Sequence, residues 1–334
     1  MNISNVAKIA GVSNATVSRV MRGSPNVKPA TVMRVKNAIK YLGYTPKTRN
    51  RRPAGKGSKS CFPKGLVGVV VYPDSVGETS SPIQIAVISS IEKKLRDQGA
   101  SMIHSQIIDS LPPLIDRGLI DAMIAVYWPT SLINRFEDVL RHQILTVFVG
   151  TESADQWGDH IHSNNKSIGI LAAQYLLTKG CRKLCYIGYK GHSANIDRHK
   201  GFADTVKSDK RDLMAFALPD LYNLDEMTSV VERMCQEGLP DGIFVFDDNW
   251  LSKLYPLFQQ KFGPRFYDIR LIGCNNEEAY LSGLHPQPAT IDINPRIIAE
   301  HAVRQLKWRC ENRSDPSQTI IRIEPTLVLP NNER

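Results

Sequence analysis

Not one aspartate or glutamate occurs in the first 64 residues of this 334-residue chain, although eight lysines and six arginines do. A segment carrying +14 is unlike an ordinary surface of mixed sign, and it points to a polyanionic partner such as nucleic acid. The remainder holds 28 basic and 33 acidic side chains, so the overall +9 conceals a polycation joined to a mildly acidic globule. Other absences narrow the class further. No stretch approaches the ~18 consecutive apolar residues of a membrane span. Met1 to Gly11 lacks the apolar run of a signal peptide, and the chain is therefore expected in the cytoplasm. The six cysteines (61, 181, 185, 235, 274, 310) include no C-x-x-C pair, which speaks against a zinc ribbon and a disulfide framework. Cys181 and Cys185 read as a helix end and the entry to a buried strand. There is no G-x-S-x-G, no Walker loop and no G-x-G-x-x-G, so neither enzymatic activity nor a cofactor is expected. His160 and His162, read as a loop pair without a third ligand nearby, suggest no metal site.

What is present begins with Val6 to Met21, V-A-K-I-A-G-V-S-N-A-T-V-S-R-V-M. Ala7, Gly11 and Val17 have helix-turn-helix spacing: a small residue where two helices touch, a glycine for a turn with positive φ, and an apolar anchor under the second helix. Ser13 is placed to cap that helix, while Val17, Val20 and Met21 fall at i, i+3 and i+4 on one face. Asn14, Ala15 and Arg19 are left outward, where a major-groove reader needs them. Arginine can bond guanine bidentately, asparagine can bond adenine, and alanine can meet a thymine methyl. Thr16, Ser18 and Arg22 complete the candidate DNA-binding set with Ser13. An ordinary amphipathic helix pair is the alternative. A third helix is predicted from Pro29, with Val32, Val35, Ile39 and Leu42 on one stripe and Gly43 at its end.

The run G-V-S-N-A-T-V-S-R-V-M-R-G, followed by Val27 and a third helix ending in Y-L-G-Y-T-P, resembles the DNA-binding headpiece of the lac repressor and galactose repressor (LacI/GalR) family. On this reading residues 1–44 form the headpiece and 45–64 a basic linker, rich in proline and glycine, whose Arg49, Arg51 and Arg52 are further candidate DNA contacts. The resemblance implies a hinge helix there with a leucine wedge. In this chain Pro53 stands at the leucine position, and no leucine occurs between Leu42 and Leu66. An extended cationic strip suited to an A·T-rich minor groove is expected instead.

From Leu66 onward apolar strands alternate with helical patterns, the mark of doubly wound parallel sheets. Buried strands are predicted at 66–71, 122–127, 146–149, 184–187, 242–246 and 271–274. Residues 65–334 suit two lobes like those of periplasmic-type sugar-binding proteins. The resemblance implies the same core, with lobe 1 at about 65–163 and 292–322 and lobe 2 at about 164–291 and 323–334. It also implies an effector site. Arg198 in D-R-H-K-G-F matches the family's hydroxyl-gripping arginine, Asp247 in F-V-F-D-D-N lies at the cleft, Asn275 in I-G-C-N-N-E replaces a ligand-binding aspartate, and Gly150 replaces a frequent acidic residue. A cap by Asp247 and Asp248 on the next helix, with Arg198 a surface charge, is the alternative.

The expected function is a sequence-specific regulator of transcription, a repressor, binding a pseudopalindromic operator on double-stranded DNA as a homodimer and modulated by a sugar-like effector. No leucine heptad near the end supports a tetramerising bundle. Two other readings stay open: a DNA-binding regulator that has lost its effector response, and a cytoplasmic sugar-binding or sugar-modifying protein with an incidental basic end.

Overall fold

Small side chains let the helices of the N-terminal unit, Met1–Ser58, approach closely. α1 (Ile3–Ala10), α2 (Asn14–Met21) and α3 (Pro29–Leu42) close over Val6, Ala7, Ala10, Val17, Val35 and Ala38. Gly11 takes φ +62° in the turn after α1, where the amide of Val12 reaches back to the carbonyl of Ala7 at 3.1 Å. This left-handed residue ends α1 and turns the chain into α2. The computed structural model describes residues 3–21, 27–42, 61–72, 81–106, 111, 113–150, 157–189, 193–218 and 223–330.

The second unit, Lys59–Arg334, is built on two parallel sheets. The chain runs through β1 (Leu66–Val71), α4 (Pro82–Asp97), β2 (Ser101–Gln106), α5 (Pro113–Asp116), β3 (Ala122–Val126), α6 (Thr130–Arg135), α7 (Glu137–Gln143), β4 (Thr146–Val149) and β5 (Asp159–Ser163). It then crosses to α8 (Asn165–Thr178), β6 (Lys183–Tyr189), α9 (Ser193–Ser208), β7 (Asp212–Leu218), α10 (Leu224–Glu237), β8 (Gly242–Val245), α11 (Asp248–Phe262), β9 (Arg270–Ile272), α12 (Glu278–Leu281) and β10 (Thr290–Asp292). α13 (Pro295–Glu311), β11 (Ile320–Ile323) and β12 (Thr326–Val328) complete it.

Lobe 1 has strand order β11-β5-β4-β3-β1-β2 and lobe 2 has β7-β6-β8-β9, all parallel, while β10 and β12 form an antiparallel pair. Alternation along each strand feeds two layers. Val67, Val69 and Val71 face Val87, Ile91 and Leu95 of α4, whereas Val70 faces the opposite layer with Ile133 and Leu140. In lobe 2, Leu184 and Tyr186 pack with Leu176 and Phe202, and Cys185 and Ile187 with Val231 and Leu254. The chain passes between lobes after β5, after β10 and between β11 and β12. These crossings are tied together by asparagines: Asn164 Nδ2 donates to Glu324 Oε1 at 2.6 Å, and Asn294 Nδ2 to the Glu324 carbonyl at 2.8 Å.

One expectation is corrected. His160 and His162 lie in β5, not in a loop. Both are 1% exposed, His160 stacks on Phe148 at 4.9 Å, and Nδ1 of His162 pairs with the Ser163 carbonyl at 2.9 Å. Cys181 follows α8 and Cys185 lies in β6. The strands β2, β5, β7, β10, β11 and β12 were not legible. β2 and β7 are edge strands with largely alternating exposure, and β5 begins with Asp159, whose charge is hidden only by partners. Arg309 meets Asp159 bidentately at 2.9 and 2.7 Å, and Gln305 Nε2 and the Thr319 amide donate to the same carboxylate. No helix among the described residues is long and apolar enough to cross a membrane, and no cluster of metal-ligating side chains occurs among them.

Candidate functional site

The outward face of α2 is made by its cap and its anchor together. Ser13 Oγ accepts from the Thr16 amide at 3.2 Å and lies 3.0 Å from the Thr16 hydroxyl, which caps the helix where it starts, one residue later at Asn14. Val17, with no exposed surface, locks the rotation of α2 on the core. Ser13, Asn14, Ala15 and Arg19 are consequently exposed and Thr16 half-buried. Asn14 Nδ2 reaches Ser4 Oγ at 3.3 Å, bridging α2 to α1. The face therefore presents amide, hydroxyl and guanidinium groups, with no acid anywhere in this part of the chain. The Ser18 side chain, Arg22, Arg49, Arg51, Arg52 and the predicted extended linker around Pro53 lie outside the described residues.

In the core, Arg198 is positioned by two glycines that bring α8 and α9 into backbone contact. A Cβ on Gly169 would lie 2.0 Å from the Arg198 carbonyl, and one on Gly201 would lie 2.1 Å from the Lys166 carbonyl. This close approach sinks Arg198 to 5% exposure, so it is not a surface charge. Its Nε donates to Asn165 Oδ1 at 3.0 Å and its Nη1 to the Phe246 carbonyl at 2.6 Å, with the guanidinium carbon 4.4 Å from the Phe246 ring centre. The bond to Phe246 places it at the C-terminal edge of β8. Parallel sheets bind ligands at such edges.

The C-terminal edges of the two sheets meet: the Ile83 amide, at the start of α4 in lobe 1, donates to Glu277 Oε1 at 3.0 Å, in the loop after β9 of lobe 2. Asp247 caps α11, accepting from the Trp250 amide at 2.8 Å. Asp248 is wholly buried. It accepts from the Glu277 amide and the Thr290 hydroxyl, each at 2.9 Å, and burial holds its pKa well above the usual carboxylate range, helped by the nearby charges of Glu277 and Asp247. Asn275, at φ +102°, gives its side-chain amide to Glu277 Oε2 at 3.1 Å. Cys274 beneath it is raised to about 12 by burial and is an inert thiol at neutral pH.

Gly150 can offer the expected effector site only its backbone. It has no side chain, it sits at φ +80°, and a Cβ there would lie 2.3 Å from the ring of Tyr127. Tyr127, itself at φ +57°, occupies that space from the end of β3. The structure thus gathers Arg198, Asp247 and Asn275 along the end of one sheet, and the Tyr127 ring fills the space beside Gly150. Asn165, Glu277 and Tyr127 were missed. N-N-E at 275–277 and Asn165 directly after the crossing were the available signals, but nothing local distinguishes them from ordinary turn and cap residues.

Residues 2–47 match bacterial regulatory proteins of the lacI family, and residues 173–329 match the periplasmic binding protein-like domain. The HTH-type transcriptional regulator MalR of Staphylococcus xylosus is 25% identical over 90% of this chain and 89% of its own length. The HTH-type transcriptional repressor PurR of Vibrio atlanticus is 24% identical over 98% of this chain and 96% of its own. Among solved structures, the lac repressor dimer bound to operator and the anti-inducer ONPF aligns with a TM-score of 0.69 at 19% identity, covering 99% of this chain and 98% of that one. The transcriptional regulator CelR–cellobiose complex aligns at 0.65, also at 19% identity and covering 99% of both chains. The headpiece is thus of the lacI family of bacterial regulatory proteins and the core is periplasmic-binding-protein-like, and along nearly its whole length the chain is similar to HTH-type transcriptional regulators.

Proposed function

We propose that this protein is a sequence-specific DNA-binding regulator of transcription, a repressor, acting in the cytoplasm as a homodimer on a pseudopalindromic operator. The observation that carries the reading is the exposed face of α2, with Asn14, Ala15 and Arg19 outward over a buried Val17. Ser13, Thr16, Ser18 and Arg22 would add contacts from the same helix and its end, and Arg49, Arg51 and Arg52 would follow the groove between half-sites. Residues 1–44 serve as headpiece, 45–64 as linker and 65–334 as the effector-binding and dimerising core. A small sugar-like molecule held by Arg198, Asp247 and Asn275 would favour one arrangement of the lobes and thereby alter how the two headpieces meet their half-sites. Enzymatic turnover forms no part of this reading.

Selection from random DNA followed by footprinting tests it. A pseudopalindromic consensus with protected half-sites is expected, and equal binding to every sequence at moderate salt would favour the sugar-binding reading with an incidental basic end. A regulator that has lost its switch is favoured by the Tyr127 ring over Gly150 and by the engagement of Asn275 with Glu277. Operator affinity unmoved by every sugar tested would support that version.

A further inference from the structure

Arg198 is a buried cation without a matching anion. Among the described residues no carboxylate lies within ion-pair distance of its guanidinium, although it is only 5% exposed. Its bonds go to a neutral amide oxygen on Asn165 and a neutral carbonyl on Phe246, and the Phe246 ring covers one face at 4.4 Å. Its Nη2 amine has no hydrogen-bond partner among the described residues. A charge taken from water is stabilised in a protein when it meets an opposite charge, and a guanidinium edge matches carboxylate and phosphate oxygens in shape as well as sign.

The acids along the same edge are already engaged. Asp247 accepts from the Trp250 amide, Asp248 from the Glu277 amide and the Thr290 hydroxyl, and Glu277 from the Ile83 amide and the Asn275 side chain. Free carboxylates, the strongest acceptors for the hydroxyls of a neutral sugar, are thus in short supply here, whereas an unmatched cation is present. Across the edge, Tyr127 fills the place beside Gly150 with an aromatic ring that can lie against the apolar face of a pyranose.

From this arrangement we infer that the effector is an anionic carbohydrate, a sugar acid or sugar phosphate, whose carboxylate or phosphate takes the open edge of Arg198. The inference rests on the proposed effector-switched regulator and specifies its ligand class. The acidic group completes the buried ion pair, and the ring packs toward Tyr127.

The test uses the full-length protein, with calorimetry and operator-binding assays on matched probes. Glucose, galactose and cellobiose are the neutral arm, gluconate and galacturonate the carboxylate arm, glucose 6-phosphate the phosphate arm, and inorganic phosphate the control without a sugar. At least one acidic sugar is expected to bind about tenfold or more tightly than its neutral counterpart and to shift operator affinity, with inorganic phosphate weaker than either. Whichever arm binds identifies carboxylate or phosphate as the group recognised. Arg198→Met should lose about tenfold or more of that preference, and Arg198→Lys should retain part of it. The wild-type selectivity is decisive even if those variants fold poorly. A neutral sugar binding as tightly as its acidic counterpart would overturn the anionic assignment and leave a sugar-switched regulator standing. No binding of any probe, by protein that still holds its operator, would overturn both.

Discussion

Arg19 and Asn14 differ from the other cationic and polar residues of the headpiece in how firmly their direction is set. Both stand on a helix whose rotation is fixed by Val17 and whose start is fixed by the Ser13 cap, and both are exposed. A side chain held this way can discriminate bases, whereas one on a loose segment mostly follows phosphate charge. Arg19→Ala is expected to cost about 1–3 kcal/mol on a selected operator and much less on random DNA, measured by fluorescence anisotropy at one salt concentration. Equal losses on both would reassign Arg19 to the phosphate backbone.

At the level of elements, two arrangements decide whether the core can hold a ligand. The first is the α8–α9 contact, in which Gly201 sits where a Cβ would come 2.1 Å from the Lys166 carbonyl. Backbone cannot give way as a flexible side chain does. Gly201→Ala should therefore destabilise the core by about 1–3 kcal/mol in urea unfolding and displace Arg198, weakening any effector response. The second is the junction of α11 with β10, where Asp248 is wholly buried against the Glu277 amide and the Thr290 hydroxyl. Its folded pKa is raised above the ordinary value of 3.8 by burial, so between those two values the folded state keeps a proton that the unfolded chain has lost. Stability must then fall as pH rises through that window. Compared with Asp248→Asn, the wild type is expected to lose up to about 1.4 kcal/mol per pH unit on going upward from about pH 5. Parallel stability curves for the two proteins would mean that the bonds from Glu277 and Thr290 outweigh burial and keep Asp248 ionised.

For the whole molecule the relevant quantity is the separation of charge between its two ends. The first 64 residues carry +14 and the rest −5, so affinity for any duplex should fall steeply with salt. Arg51 and Arg52 belong to the stretch R-N-R-R-P-A-G-K, in which Pro53 removes an amide and disfavours helix at Arg52. Replacing both arginines with alanine should flatten the slope of log affinity against log salt by about two phosphate equivalents. An extended strip in the minor groove also requires the double variant to lose a preference for A·T pairs between half-sites. Strong operator bending at a central C·G step, seen by gel phasing, would instead indicate a wedge like that of a hinge helix.

The helix-turn-helix, the basic end and the alternation of strands with helices could be read from residues in order. Each depends on spacing within a dozen or so positions, and apolar periodicity reports burial directly. The polar interior was different. His160 and His162 were read as loop residues because nothing near them in the chain announces β5, and Asp159 is buried there only because Arg309 arrives from 150 positions away. Arg198 read as a ligand contact with a surface charge as the alternative, until Gly169 and Gly201 drew α9 onto α8 and buried it. Tyr127 and Gly150 are separate residues in the sequence and one filled space in the fold. Burying an apolar side chain is favourable almost wherever it happens, so its pattern survives in one dimension. Burying a charge, an imidazole or a backbone pair depends on the exact partner, and partners of that kind are assigned only when the chain has closed on itself.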